Sequence, residues 1–557
     1  MNDFSVLIGG KAGFGIDRAG LIIANILNQI GYRLYIYRDY PSIIRGGHTF
    51  SIIRASKEKI ACHKKKINIL LALNQDTFNF HKDKLTADAV VVYDSDAVKI
   101  DGLSGSNNST AAPIAKILKD DNAIEIMRNS CMVGAFCKAA GISWDILDKE
   151  FRRDFSKDLD MNLKIARRGY DSASELCKIE PIGQEKLPIL SGNEATSLGL
   201  VKGGLKTYIA YPMTPTSPIL HHLAGLAEDF SLKVIHPESE ISVMLMAAGF
   251  SYCGEKVAVG TSGGGFCLMT EGLSFSAMAE LPVVVVLGQR PGPSTGLPTY
   301  SCQTELHFAL NAGQGEFPRF IVAPGDPEEA YYLSQVALNI AWKYQIPSII
   351  LTDKNMGEGI YSFDKDSAPR VREEKLPLWD KRSSYKRYLR TESGVSPLAF
   401  VPEKDSVIKA NSYEHDESGI TTEDPEESKK MQEKRLGKEK FIAEELAGYE
   451  PVKIYGNKKS STAVLCWGSN KGVCIEAAKG LNLKVIQPVI LSPFPAAQLK
   501  AAMKGVKRLI AVESNATAQL VRLINSYGID AQEKILKYDG RPFSVEELEA
   551  KLREAAK

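Results

Sequence analysis

Five short apolar runs between residues 207 and 326 each break off, at the carboxyl end, into small, hydroxyl-bearing or turn residues. They read TYIAYPMTP, KVIHPES, KVAVGTSGGG, LPVVVVLGQR and FIVAPGD, with helically patterned segments such as ISVMLMAAGFSYCG and FCLMTEGLSFSAMAE between them. Strands that alternate with helices predict a parallel sheet. Ligands bind such a sheet beyond the carboxyl ends of its strands, so the chemistry is expected between residues 211 and 304.

The alternation continues on both sides of this stretch. The chain opens on FSVLIGG, a glycine turn and IDRAGLIIANILNQIGYRL, in which Ile16, Ala19, Leu21, Ile22, Ile26 and Leu27 approximate one helical face. RLYIY, INILLALN and DAVVVYDSD read as further buried strands. Residues 1–183 therefore predict a mainly parallel α/β domain closed by helices within 124–155, and residues 190–363 a second unit. Between 364 and 455 the pattern breaks. Twelve of the 20 residues in TTEDPEESKKMQEKRLGKEK (421–440) are charged, which predicts a solvated helix or extended connector. Residues 456–557, with STAVLCWGSN, LKVIQPVILSPFP and RLIAVESN, predict a smaller α/β domain. The expected fold class is multi-domain α/β.

Charge and cysteine usage narrow the function. Lys+Arg 69 against Asp+Glu 67 leaves +2, which gives no global field for nucleic acid or an anionic membrane. No apolar run approaches the ~18 residues of a membrane span, and MNDFSVLIGGKAGFG does not read as a secretory signal. A cytoplasmic protein is expected. The nine cysteines form no Cys-x-x-Cys and the eight histidines no metal-ligand pair, so no metal or iron–sulfur site is expected in this chain. Its thiols should be reduced and mostly buried.

Several motifs carry a functional reading beside a plain one. Gly9-Gly10-Lys11-Ala12-Gly13-Phe14-Gly15 allows a phosphate to approach a helix N-terminus, but a tight strand-to-helix turn needs glycine equally. Arg45-Gly46-Gly47-His48 is a second glycine turn, with a cation. Tyr211-Pro212-Met213-Thr214-Pro215-Thr216-Ser217-Pro218 is a stiff loop that either fixes a hydroxyl or simply leads to a helix capped by Ser217. Glu240 complements a helix dipole, or shares a proton with a ligand nitrogen at the mouth of an apolar segment. Gly263-Gly264-Gly265 permits close approach of a flat ligand. Arg290 leaves a very apolar strand at the ligand edge, where its planar fork fits a carboxylate or phosphate better than a surface salt bridge explains. The following loop carries Ser294, Thr295 and Thr299.

Taken in order, YPMTPTSP, ESEIS, TSGGGF-x-LMTEGLSF-x-AMAELP and QRPGPSTGLPT resemble the alpha subunit of 2-oxoacid:ferredoxin oxidoreductases, nearest to the 2-oxoglutarate branch. GGKAGFG and RGGH resemble that family's gamma domain, fused ahead of alpha. Glu414-His415-Asp416-Glu417-Ser418-Gly419, LSPFP and VESNATAQL match its connector and transketolase C-terminal-like domain. The resemblance implies a gamma-type domain (1–183), a thiamine diphosphate pyrimidine-binding-type domain (190–363), the charged connector (364–455) and the C-terminal domain (456–557). It implies oxidative decarboxylation of a 2-oxoacid, with 2-oxoglutarate favoured, to acyl-CoA, carbon dioxide and reduced ferredoxin. Thiamine diphosphate is then shared with a beta subunit that carries Mg²⁺ and a [4Fe–4S] cluster, and coenzyme A is the co-substrate. Glu240 corresponds to the catalytic glutamate at pyrimidine N1′. Thr214, Arg290 and Thr299 correspond to substrate-binding residues, and Tyr211, Pro212, Gly263, Gly264 and Gly265 line the cofactor. The family's Gly-Asp-Gly…Asn-Asn diphosphate–Mg²⁺ motif is missing, as expected where a partner supplies it. Two other readings stay open: a non-enzymatic Rossmann-like nucleotide-binding regulator, and a self-sufficient thiamine-dependent decarboxylase.

Overall fold

The computed structural model describes residues 1–42, 47–100, 108–371 and 374–557; Arg45 and Gly46 of the second glycine turn lie outside the described residues. The chain divides into two units, Met1–Leu190 with Gly359–Asp364 and Ser544–Leu548, and Ser191–Glu358 with Lys365–Phe543 and Glu549–Lys557.

The first unit is built on an eight-stranded sheet. Its long strands are β1 (Asp3–Lys11), β2 (Arg33–Asp39), β3 (His48–Ser56), β4 (Ile67–Ala72), β5 (Leu85–Asp94) and β6 (Ser109–Ala112). They lie in the order β6-β5-β4-β1-β3-β2, followed by two short strands, Ile360–Ser362 and Ile189–Ser191. The sequence predicts a mainly parallel sheet, but the sheet is mixed. β1, β4, β5 and β6 pair in parallel, whereas β3 runs antiparallel to both β1 and β2. The eight residues 40–47 that join β2 to β3 are fewer than the dozen or more a parallel crossover needs. β1 turns into helix α1 (Ile16–Gln29) at Gly15, whose φ of 70° is left-handed and whose Cβ would lie 2.5 Å from Asn129 Nδ2. Helices α2 (Arg128–Ala139) and α3 (Leu159–Ser172) press together at Gly134 and Gly169. A Cβ there would meet the carbonyl oxygens of Ala166 and Cys131 at 1.9 and 2.1 Å, so only glycine fits this crossing.

The second unit carries a seven-stranded sheet of β7 (Thr207–Ala210), β8 (Lys233–Ile235), β9 (Val257–Ser262), β10 (Val284–Gln289), β11 (Phe320–Val322), β12 (Ser348–Asp353) and the strand Ile490–Ser492. Its order is Ile490–Ser492, then β11-β12-β10-β9-β7-β8. All pairs are parallel except that of Ile490–Ser492 with β11. From β7 the chain moves outward to β8, and from β9 it moves the opposite way to β10. The carboxyl ends of β7 and β9 therefore flank the point where strand order reverses, which is where an open α/β sheet binds ligands. A third, five-stranded sheet runs from Val452 to Leu536. Leu465, Trp467 and Leu509 from it share one continuous apolar cluster with Val257, Val259 and Leu287.

The charged connector holds a helix, α7 (Pro425–Glu445), and the expectation of a wholly solvated segment is corrected. Met431, Lys434, Arg435, Lys438 and Ile442 are buried along one face. Charge density did not prevent burial because each cation on that face meets a carboxylate: Lys434 reaches Glu280 at 2.7 and 2.8 Å, Lys438 also pairs with Glu280, and Arg435 Nη1 donates to Glu414 at 3.0 Å. All nine cysteines are free thiols, six of them buried. Burial pushes the Cys131 thiol up to about 12, which leaves it inert. Among the described residues no helix is long and apolar enough to cross a membrane.

Candidate active site

β7 ends at Ala210 and runs into the proline-rich loop. Tyr211 is exposed, with its ring edge-on to His236 at 6.1 Å, and Pro212 and Thr214 are half-buried. The Met213 carbonyl accepts from Thr216 N at 3.0 Å and from Ser217 N at 3.1 Å, while Asn193 Nδ2 donates to the Pro215 carbonyl at 2.9 Å. Ser217 is not a cap: it is the first residue of the helix Ser217–Gly225, behind Thr216, and neither side chain caps it. The loop is pinned by its own backbone and by Asn193.

Glu240 opens helix α4 (Glu240–Tyr252). The cap is Ser239, whose hydroxyl accepts from Ser242 N, so Glu240 is not needed for that task. Its carboxylate turns inward instead, with 4% of the residue exposed and Oε1 buried without a hydrogen-bond partner. It faces the start of helix α5 (Gly263–Met278), which follows β9. A Cβ on Gly265 would lie 2.2 Å from Thr261 Oγ1 and 2.5 Å from Glu240 Oε1. A side chain there would fill the space in front of the carboxylate, so glycine is what keeps Glu240 and Thr261 facing open backbone. No side chain caps α5, and a Cβ on Gly264 would meet only the Ser294 carbonyl, at 4.0 Å.

Arg290 follows β10 and donates from Nη1 to the Thr214 carbonyl at 2.9 Å, joining two residues 76 apart in the chain. Its Nε is buried without a partner, and burial pulls its pKa below the ordinary value while Glu305 opposes that shift. Among the described residues it forms no salt bridge. Thr299 is 6% exposed, and its hydroxyl also lacks a partner. The structure thus brings Thr214 to Arg290 and Glu240 to Gly265. Thr299 hydrogen-bonds to none of them, and Tyr211 and Pro212 stay at the outer edge.

Glu305, just before helix α6 (Leu306–Asn311), was not anticipated. It is buried, Thr304 Oγ1 donates to its Oε1 at 2.8 Å, and Oε2 has no partner. Its Oε1 would lie 2.9 Å from a Cβ on Gly263. Burial pushes its pKa up to about 7. The signal in the sequence is the one that marked Glu240, an acidic residue directly before an apolar helix, here in SCQTELHFAL. Among the described residues no three His, Cys, Asp or Glu side chains converge to hold a metal ion.

Comparison with known proteins bears on both units. Residues 199–434 match the family model "Pyruvate flavodoxin/ferredoxin oxidoreductase, thiamine diP-bdg", and residues 5–172 match "Pyruvate ferredoxin/flavodoxin oxidoreductase". The chain is 32% identical over 613 aligned positions to a 2-oxoacid:ferredoxin oxidoreductase subunit alpha of Sulfolobus sp, covering 98% of this chain and 96% of that one. It is 28% identical to the 2-oxoglutarate synthase subunit KorA of Methanocaldococcus jannaschii, over 65% of this chain and 98% of that one. The structure of 2-oxoglutarate:ferredoxin oxidoreductase from Magnetococcus marinus, with 2-oxoglutarate, coenzyme A and succinyl-CoA bound, superposes with a TM-score of 0.90 at 28% identity, each chain covered in full.

Proposed function

The chain belongs to the 2-oxoacid:ferredoxin oxidoreductase family as an alpha subunit, and on that premise we propose that it works with a beta subunit to convert 2-oxoglutarate and coenzyme A to succinyl-CoA, carbon dioxide and reduced ferredoxin. The observation that carries the reading is the buried, unpartnered Oε1 of Glu240, held against the glycine-only start of α5. An aminopyrimidine fits this arrangement: it offers a ring nitrogen to a carboxylate and a flat face to backbone that carries no side chain. Bound there, thiamine diphosphate supplies the electron sink that decarboxylation of a 2-oxoacid requires. Glu240 holds a proton at pyrimidine N1′, and Tyr211, Pro212 and Gly263–Gly265 border the ring. Arg290, fixed by the Thr214 carbonyl, receives the substrate carboxylate with Thr214 and Thr299 beside it.

The diphosphate, Mg²⁺ and the [4Fe–4S] cluster then fall to the beta subunit, and the surface of this chain offers a place for one. Ile241, Leu245 and Met246 on α4 and Leu268 on α5 are 38–49% exposed, beside a cavity of about 630 Å³. So much exposed apolar surface next to the site is what a subunit interface covers. The choice of 2-oxoglutarate rests on the full-length likeness to the Magnetococcus marinus enzyme, and the free thiols suit a cytoplasmic setting.

The test is a 2-oxoacid panel on the purified complex with coenzyme A and a viologen dye. 2-Oxoglutarate is expected to give the highest kcat/KM. Arg290→Ala should raise KM for the 2-oxoacid at least tenfold, the loss of about 1.5–3 kcal/mol for a charge-assisted bond, with little change in KM for coenzyme A. Equal changes in both constants would show that Arg290 serves the fold or another ligand.

A further inference from the structure

Two buried carboxylates flank the glycine-rich tip of α5, Glu240 against Gly265 and Glu305 against Gly263, and each keeps one oxygen without a hydrogen-bond partner. The proposed function uses only the first. The second lies on the Arg290 side. The backbone N–H of Glu305 donates to Gln289 Oε1 at 3.1 Å, and Gln289 immediately precedes Arg290. The loop that carries Glu305 is clamped: Gln303 donates to the Trp467 carbonyl at 2.8 Å and accepts from Asn470 and Ser514 at 2.7 and 3.0 Å, and Asn515 donates to its carbonyl at 3.0 Å. The backbone that carries Glu305 is therefore held in place, with the side chain buried.

Resting on the functional reading above, we propose that Glu305 is a positioning residue for Arg290 and that its proton decides how tightly Arg290 holds the 2-oxoacid carboxylate. The Glu305 backbone is bonded to the side chain of Gln289, next to Arg290, and from there the carboxylate favours the Arg290 cation while the cation favours the ionised form of Glu305. When Glu305 is ionised, it offsets the cation and turns a like charge toward the incoming carboxylate. When it is protonated, Arg290 acts with its full charge. The other groups facing Glu305 are Thr304, whose hydroxyl hydrogen-bonds it, Asp353 at the end of β12, which favours its protonated form, and Cys302, whose buried thiol stays protonated. On the α5 side it lies against Gly263, and His307 on its own helix hydrogen-bonds the Gln519 carbonyl. Burial lifts Glu305 to about 7, so its charge changes close to neutrality. A simple 2-oxoacid is already ionised throughout this range and adds no titration of its own.

The test is KM for the 2-oxoacid between about pH 6 and pH 8, measured on the assembled complex of the wild type, Glu305→Gln and Glu305→Asp. The wild type is expected to show KM rising on the order of tenfold with pH, because Glu305 ionises as pH rises. Glu305→Gln keeps the shape but cannot ionise, so its KM should stay flat near the low-pH wild-type value. Glu305→Asp should keep a pH-dependent KM. A flat wild-type profile, or an unchanged slope in Glu305→Gln, overturns the role of Glu305; the wild-type profile decides even if a variant fails to assemble. A wild-type complex with no 2-oxoacid-dependent turnover at any pH overturns the functional reading instead, and the two failures are distinct.

Discussion

Glu240→Gln is expected to cut turnover of the complex by about 10²–10⁴-fold while leaving its assembly intact, the usual cost of losing a positioned proton-sharing group. The substitution keeps the volume, so the packing of α4 against Gly265 and Thr261 should survive. It removes only the ability to hold a proton at pyrimidine N1′. The unpartnered Oε1 makes the experiment clean, because no hydrogen bond within the chain is lost with it. Steady-state assays, with size-exclusion chromatography to check assembly, decide the matter. Near-wild-type turnover would remove Glu240 from the reaction.

The second large effect concerns stability. Glu280, 1% exposed, is the one carboxylate shared by Lys434 and Lys438 of α7, and Arg387 donates to its backbone carbonyl at 2.8 Å. Burial alone would push Glu280 up, but Lys434, Lys438 and Arg387 outweigh it and hold the carboxyl well below the usual range. Burial lowers both lysines, Lys434 to about 7. Glu280→Gln leaves these cations buried without their counter-charge and should cost about 3–5 kcal/mol. The sign of its pH dependence follows. Glu280 is what raises both lysines, so its loss should lower them further; they then shed their protons at lower pH than in the wild type, and part of the loss should return as pH rises from about 5 to about 7. Thermal melts of the wild type and variant across that range would show it. An unchanged melting temperature would mean that α7 is held by Met431 and Ile442 rather than by its charges.

What the sequence made legible follows from how each strand is buried. β10, Val284–Gln289, is fully buried and reads as an unbroken apolar run, as do β1, β5 and β9 in large part. β3 escaped notice because HTFSIIRAS is broken by polar residues, among them Arg54, which is 2% exposed and hidden by a two-bond pairing with Asp3 at 2.9 and 2.8 Å. Without β3 the first sheet looked parallel. The connector misled in the same way. Counting charges along 421–440 cannot register that Lys434 and Lys438 share a helix face, or that their partner lies more than 150 residues earlier. At the candidate site, Thr214, Glu240, Gly263–Gly265 and Arg290 could be placed because each directly follows a strand or opens a helix at the carboxyl edge. Glu305 carries the same local signal as Glu240, an acidic residue before an apolar helix, but the clamp of Gln303 onto residues 467–515 that fixes its loop forms only in the fold.

In the proposed function, this chain holds the aminopyrimidine half of a cofactor site that a beta subunit completes. Titration calorimetry with thiamine diphosphate and Mg²⁺ tests it most directly, first on the isolated chain and then on the complex. The diphosphate needs a metal held by oxygen ligands, and the chain carries no Gly-Asp-Gly…Asn-Asn motif to provide them. Weak or undetectable binding to the chain alone is expected, and stoichiometric, tight binding once the beta subunit is present. Tight stoichiometric binding by the isolated chain, with or without decarboxylation of a 2-oxoacid, would contradict it.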